Sequence, residues 1–553
     1  MDTCSIGVAQ LRRAALAVCL LSLTEAVARA EPSSGWGVSP SAALSYNPKE
    51  WATRMTDAGI GWVRGFRNGS ELEGVQPMRE AGMSICGILM WSPTKPQRFP
   101  VSDLAGFRQY VIDRVKKYRG VVTHWEVWNE PPNFTEDKSP ASYAKVIAAA
   151  YDAAKSVDPN VKIGLASKSI HLQFMADSIR AGAKDKFDFV TLHPYEMAGM
   201  LPQGWEGPYL GIVPSVRAML KDVNPAKADV PIWFTEVGLA VNEADPSAVT
   251  EVAQADGLIK LFTMGFAQGV TRIHWFDPRD SEGLTLGLLR RDGSSKPAHR
   301  ALTQLSGALG ARPKFLAYVP LAKHTFGFLF EGLERDVVVA WAKPEQCRVL
   351  SFDEPVAVLY PEGAKDDDCH NISVDTRPVI VAAARDSAVA KSWRAASLKT
   401  RPAWDTGTES KSVALHAGQG PLGVHIVGPV TQRCSNGRCE YDLSTRSSVR
   451  FAVDPLFQGY DSQTLEVVLT LRPHAGNMAG FNLKYESRGA NLDEHGMRRA
   501  GGWTSVRGTR PLVLRYKIAD PSFVGKYGAN LAVDCDSVRY CDFGILSVLI
   551  NKR

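Results

Sequence analysis

From Trp36 to about Leu309 short apolar runs alternate with longer amphipathic stretches, and eight of the runs have the length and the β-branched or aromatic content of strands. They are GWGVS (35–39), GWVRGF (61–66), MSICGILMW (83–91), VTHWEVWN (122–129), VKIGLAS (161–167), FDFVTLHPY (187–195), VPIWFTEVG (230–238) and TRIHWFDP (271–278). Between them Leu104, Phe107, Val111, Val115 and Tyr118 recur at three- and four-residue spacing behind a Ser102 cap. A further helix opens at Ser139-Pro140 and closes at Asp158-Pro159. Strands that alternate with helices and are apolar on both faces belong in a parallel sheet covered on both sides, and eight such units predict an α/β chain with a closed (β/α)₈ barrel.

Beyond residue 311 the pattern changes to short strands broken by Gly, Pro and Asp, such as HTFGFLFEG, DVVVAWA and VAVLY. The expected organisation is a barrel over 31–311, a small β-domain packed on it over 312–385, and a polar linker rich in Ser, Lys and Thr over 386–412. A C-terminal β-sandwich of jelly-roll type follows over 413–553, where SVRFAVDP, TLEVVLTLRP, FNLKYES and PLVLRYKI read as strands. Trp404 in the linker and Trp503 in the sandwich are candidate stacking surfaces for carbohydrate, set against ordinary packing.

The first thirty residues read as a secretory signal peptide. Arg12 and Arg13 precede the apolar run from Ala14 to Leu23, and Ala28-Arg29-Ala30 supplies a small-x-small cleavage site. That run is too short to span a bilayer, so an exported protein of the periplasm or exterior is expected. Cys4 and Cys19 leave with the signal, and Cys86 reads as a small buried hydrophobe. Nearest-neighbour pairing of the other six suggests disulfides Cys347–Cys369, Cys434–Cys439 and Cys535–Cys541, one of fifteen connectivities.

The chain carries 64 Lys and Arg against 58 Asp and Glu with no basic block, so nucleic acid is not an expected partner. CxxC and HExxH spacings, a GxSxG elbow and a phosphate loop are all missing from the sequence. No metal and no cofactor is expected. GIGWVRG (59–65) puts Arg64 where a dinucleotide fingerprint needs its third Gly.

In a (β/α)₈ barrel, function concentrates at the carboxyl ends of the strands. Glu130 ends strand four in HWEVWNEPP and Glu236 ends strand seven in IWFTEVG, on nearly opposite sides of an eight-stranded ring. Two carboxylates facing each other across the mouth suit glycosidic bond cleavage, where one protonates the leaving oxygen and the other attacks or stabilises the anomeric carbon.

WNEP after strand four, followed 106 residues later by Glu236, resembles the clan of (β/α)₈ retaining glycosidases with two catalytic glutamates. Glu126, Trp128, Asn129, Glu130 and Pro131 most resemble the motif of glycoside hydrolase family 39, with Thr123, Trp125 and Pro132 departing from it. The resemblance covers roughly 36–310. It implies Glu130 as acid/base, Glu236 as nucleophile, and Asn129 at the sugar 2-hydroxyl. It further implies Arg64 holding Glu236 ionised, Tyr195 bonded to the nucleophile, His193 lining the subsite and Trp275 as a platform beneath the sugar. Trp91 is a candidate for stacking on a neighbouring sugar. Glu126 is expected to satisfy buried donors, and His124 has no assigned role. The expected partner is a polysaccharide or oligosaccharide, and the leading activity is internal cleavage of a bacterial exopolysaccharide. An exo-acting xylosidase or arabinosidase and a non-catalytic polysaccharide binder remain as alternatives.

Overall fold

The computed structural model describes residues 34–41, 49, 51–66, 72–91, 98–133, 135–242, 250–344, 346–402, 411–461, 463–474, 478–489, 492–493, 496–526 and 528–553. The signal segment and Trp404 lie outside the described residues.

The eight predicted strands form a closed parallel barrel in sequence order. They are β1 (Trp36–Val38), β2 (Trp62–Phe66), β3 (Ser84–Leu89), β4 (Val122–Val127), β5 (Lys162–Ala166), β6 (Phe189–Leu192), β7 (Ile232–Val237) and β8 (Arg272–Trp275). The returning helices are α1 (Ala52–Asp57), α2 (Leu72–Glu80), α3 (Leu104–Lys117), α4 (Pro140–Val157), α5 (Leu172–Ser178), α6 (Ile212–Val223), α7 (Glu251–Ala267) and α8 (Pro297–Leu309). Ser139 caps α4 through Ser142 N–H, with Pro140 in the first turn. The cap of α3 is Asp103 rather than Ser102, because the Asp103 carboxylate accepts from Gly106 N–H.

Alternation along the strands stacks the barrel interior in layers. The floor is aromatic: Trp62, His124, Phe189 and Trp233 pack ring against ring. The Arg272 guanidinium lies 4.3 Å from both the Trp62 and the Trp233 ring. Burial there pushes His124 down to about 3, so it packs as a neutral ring far from any acid–base role. Two residues further along the same faces come Arg64, Glu126 and Thr235, which turn the upper layer polar.

The small β-domain is one antiparallel sheet of β9 (Lys314–Tyr318), β10 (Thr325–Glu331), β11 (Arg335–Ala342), β12 (Arg348–Leu359), β13 (Lys365–Val374) and β14 (Val379–Ala384), in the order β13-β12-β14-β11-β10-β9. Residues 388–395, expected to be linker, form helix α9 (Ala388–Ala395), capped by Ser387. Its Val389, Ala390 and Trp393 close the apolar face of that sheet. The polar composition of the segment conceals three apolar residues at helical spacing. Cys347 and Cys369 are not bonded to each other. The β12–β13 register pairs Cys369 with Val356, whereas Cys347 meets Ser373 at the other end of the ladder.

The C-terminal sandwich has two antiparallel sheets. One runs β17 (Thr431–Ser435), β18 (Arg438–Asp442), β26 (Phe543–Lys552), β20 (Leu465–Pro473), β24 (Leu512–Ile518), with β15 (Ser412–His416) on β26. The other runs β16 (Val424–Val427), β19 (Ser448–Val453), β25 (Leu531–Asp534), β21 (Gly480–Glu486), β22 (Met497–Arg499), with β23 (Thr504–Ser505) on β21. The Cys434–Cys439 and Cys535–Cys541 disulfides are present as expected. Among the described residues no helix is long and apolar enough to cross a membrane.

Both β-domains grip the segment that follows β6. Buried Glu206 accepts hydrogen bonds from Lys260 of α7 and from the indole of Trp341 in β11, each at 3.0 Å. Trp205 stacks on His425 of β16 at 5.0 Å. Replacing the buried Trp393 with Ala is expected to cost about 3 to 5 kcal/mol, read as a lower urea midpoint, whereas Val513→Ala on the exposed face of β24 should leave the midpoint unchanged.

Candidate active site

Six of the polar residues expected at the strand ends form one continuous network. Its centre is Arg64, on β2 and 1% exposed. Its Nε and Nη2 donate to the two carboxylate oxygens of Glu126 at 3.0 and 2.9 Å, and Nη2 also reaches Asn129 Oδ1 at 2.8 Å. Its Nη1 donates to Glu236 Oε1. Burial works against the Arg64 charge, but Glu126 and Glu236 outweigh it and hold the guanidinium above its ordinary range. Glu126 satisfies buried donors, as expected.

Glu236 reaches this network through a break in register. Strict alternation after the inward Thr235 would carry Glu236 to the outer face, but the β7–β8 pairing shifts between Phe234 and Val237. There the carboxylate accepts from Arg64 at one oxygen and from Tyr195 Oη at the other, 3.0 Å away. Burial first, and then the Glu236 charge, push the Tyr195 hydroxyl well above its usual range, so it remains a donor.

Glu130 is positioned by an unusual backbone. Trp128 and Glu130 both take left-handed φ, 71° and 49°, a conformation that costs energy in non-glycine residues and clusters at functional sites. The turn is held by Trp128 N–H on the Leu89 carbonyl at 2.9 Å and by Asn133 N–H on the Glu130 carbonyl at 2.6 Å. The Trp128 ring packs edge-on against Phe99 beneath it.

His193 joins the two acids. Its Nδ1 lies 2.8 Å from Glu130 Oε1 and 3.6 Å from Glu236 Oε2, and its Nε2 lies 3.1 Å from Thr235 Oγ1. Burial alone would push the Glu130 carboxyl up, yet the His193 hydrogen bond and charge hold it down at about 2. Burial likewise opposes a charged His193, but Glu236 and the bond to Glu130 raise it above its ordinary value. Both shifts favour a charged imidazole beside a Glu130 carboxylate. One ligand atom from each of Glu130, His193 and Glu236 lies within 4.8 Å of the others. Such a trio can accept a divalent ion only by displacing the proton that His193 shares with Glu130.

The two aromatic candidates stand apart. Trp91 is half-buried and stacks on Tyr110 of α3, ring centres 6.2 Å apart. Trp275 is 0% exposed and its indole N–H donates to the Leu286 carbonyl at 2.8 Å, so the structure does not present it as an open platform. Its position at the end of a barrel strand is as predicted, but the chain between Asp277 and Leu289 folds back over it.

Sequence reasoning missed Asn133, Thr235 and Asp277. Asn133 Nδ2 donates to Glu130 Oε2 at 3.3 Å, and Asp277 accepts from Ser41 N–H at the top of β8. Burial pushes the Asp277 carboxyl up to about 7. Thr235 adjoins Glu236 and Asp277 lies two residues after Trp275, which was the available signal; Asn133 follows two prolines and carries none.

No protein-family profile and no curated protein matches the chain. Among solved structures it is similar to a family 39 glycoside hydrolase from the gut symbiont Bacteroides cellulosilyticus WH2, at 18% identity and TM-score 0.52, over 64% of this chain and 82% of that one. A GH30 endoxylanase from Clostridium papyrosolvens C71 aligns at 14% identity and TM-score 0.47, over 63% and 96%. A monomeric beta-xylosidase from Caulobacter crescentus CB15 aligns at 13% and 0.42, over 94% and 96%. The first of these bears out the expected barrel fold.

Arg64→Met is expected to cost about 3 to 5 kcal/mol, because it leaves Glu126 buried without its cation. Adding Glu126→Leu should recover most of that stability, with both values read from urea unfolding.

Proposed function

We propose that the protein is a retaining glycoside hydrolase that cleaves internal bonds of a polysaccharide of the bacterial exopolysaccharide class, exported to the periplasm or beyond. The observation that carries the reading is the pair of carboxylates, Glu130 and Glu236, facing one another from the ends of β4 and β7 with one oxygen of each within 4.8 Å of the other. So close an approach favours the short carboxyl separation of a retaining site, about 5 to 5.5 Å, over the roughly 6.5 to 9.5 Å of inverting sites. The resemblance of WNEP and the likeness in fold to a family 39 glycoside hydrolase support the same reading. The two disulfides agree with export.

In the first step Glu236 attacks the anomeric carbon while Glu130 gives a proton to the glycosidic oxygen, releasing the leaving chain as an alcohol and forming a glycosyl ester. In the second, Glu130 takes a proton from water as that water's oxygen attacks the same carbon, which frees the Glu236 carboxylate. Arg64 and Tyr195 keep Glu236 ionised and aimed. Asn129, its oxygen turned toward Arg64, offers its amide N–H to the sugar 2-hydroxyl.

Because the pair favours the Glu130 carboxylate, His193, 2.8 Å away, is the group placed to return the proton to it. Substrate that excludes water from the mouth favours the neutral pair, with the proton on Glu130 and a neutral imidazole beside it. His193 is thus a positioning residue that stores the proton.

Glu236→Gln is expected to abolish turnover with the fold intact. Glu130→Gln should slow cleavage of polysaccharide by about 100- to 10,000-fold while sparing aryl glycosides whose leaving group needs no proton. Equal losses on both substrates would contradict the assignment. Size analysis of early products tests internal cleavage, since release of single sugars alone would overturn it.

The pH profile tests the stored proton. The raised His193 group keeps the pair protonated below its folded pKa and loses that proton as pH rises through it. His193→Leu is therefore expected to move the alkaline limb of kcat/KM to lower pH. An unmoved limb would show that the imidazole does not hold the proton.

A further inference from the structure

The formal charge of +6 is not spread evenly. Residues 1–410 carry 46 basic and 46 acidic side chains, whereas 411–553 carry 18 and 12. All of the excess positive charge lies in the C-terminal sandwich, which has no part in the strand-end network of the barrel.

One patch of the sandwich combines that charge with exposed apolar surface. Trp503 is 42% exposed and Val538 46%. Tyr540 packs edge-on against Trp503, ring centres 5.6 Å apart, and the Arg539 guanidinium lies 4.6 Å from the Tyr540 ring. Arg507 and Arg510 follow Trp503 by four and seven residues in the chain; like Arg539 they are exposed, and among the described residues no carboxylate pairs with any of the three. The nearby acids are engaged elsewhere, Asp536 with Asn482 and Asp542 with His474.

The patch is also held rigid. The loop bearing Val538, Arg539 and Tyr540 is closed by the Cys535–Cys541 disulfide, whose two cysteines are fully buried beneath it. The indole edge lies against the start of β21, where a Cβ on Gly480 would meet Trp503 Nε1 at 2.6 Å. A fixed, half-exposed tryptophan beside unpaired guanidinium groups loses little entropy on binding.

We propose that Trp503, Val538, Tyr540, Arg507, Arg510 and Arg539 form a binding site for an acidic polysaccharide, one whose sugars carry carboxylates. The apolar face of a sugar ring lies on the indole, and the guanidinium groups take its carboxylates in two-point hydrogen bonds. The site is remote from the barrel mouth. The far end of β21 is Glu486, which accepts from Gly525 and Lys526 N–H in the loop that rests on the barrel at Ser169. Six strand steps separate Gly480 from Glu486, about 20 Å. A polymer can span that distance, and a single sugar cannot.

The test uses the full chain with Glu236→Gln, so that binding is read without cleavage and independently of the proposed activity. Affinity electrophoresis against polygalacturonate, alginate, hyaluronan and neutral dextran is expected to show retention by at least one acidic polymer, weakened by salt, and none by dextran. Trp503→Ala and the pair Arg507→Gln/Arg539→Gln should each reduce that retention about tenfold, with the circular dichroism spectrum unchanged. The proposal is overturned if no acidic polymer is retained, if dextran is retained equally, or if Trp503→Ala has no effect. Equal competition by duplex DNA would likewise overturn the carbohydrate assignment.

Discussion

A single guanidinium, buried between β2, β4 and β7, governs how the barrel mouth is arranged. Arg64 gives its donors to Glu126 and Asn129, in β4 and just after it, and to Glu236 in β7. Taking a cation out of water is costly unless every donor is met, so the charge is tolerated only once β4 and β7 have closed around it. Closure of the barrel and assembly of the site are therefore one event. A lysine could not replace Arg64, because the fork of five N–H groups is what reaches three residues at once.

From that centre the network extends outward through two further proton-bearing groups, Tyr195 and His193. Arg64 stays charged, Tyr195 stays neutral, and His193 lies between two carboxylates whose charges pull its proton in different directions. The depressed Glu130 carboxyl and the raised His193 imidazole are two views of one shared proton. The accessory domains touch the chain that leaves this site. The chain that leaves β6 with His193 and Tyr195 runs on to Glu206, and there both β-domains hold it through Trp341 and His425. Ser169, behind the same mouth, meets the Lys526 carbonyl of the sandwich at 2.9 Å.

Much of this was legible in the amino-acid order. The eight strands are where their apolar runs place them, and Arg64, Asn129, Glu130, His193, Tyr195 and Glu236 converge because each is the polar residue that ends an apolar strand. Period-two alternation also separates the aromatic floor from the polar layer above it. Two neighbouring cysteine pairs close as disulfides because their loops return directly to the same point.

Other features belong to the third dimension. Cys347 and Cys369 are neighbours in the chain but lie at different levels of a hairpin ladder, since register depends on the whole sheet. Trp275 ends a strand as expected, yet a returning loop covers it. The shift that turns Glu236 inward, and the 2.8 Å approach of His193 to Glu130, arise from pairing between segments far apart in sequence. Local order determines which residues stand at the rim, because side-chain alternation and apolar runs are properties of short segments. Which of them touch, and which one holds the proton, is settled by closure of the ring, because distance and dielectric are properties of the packed whole.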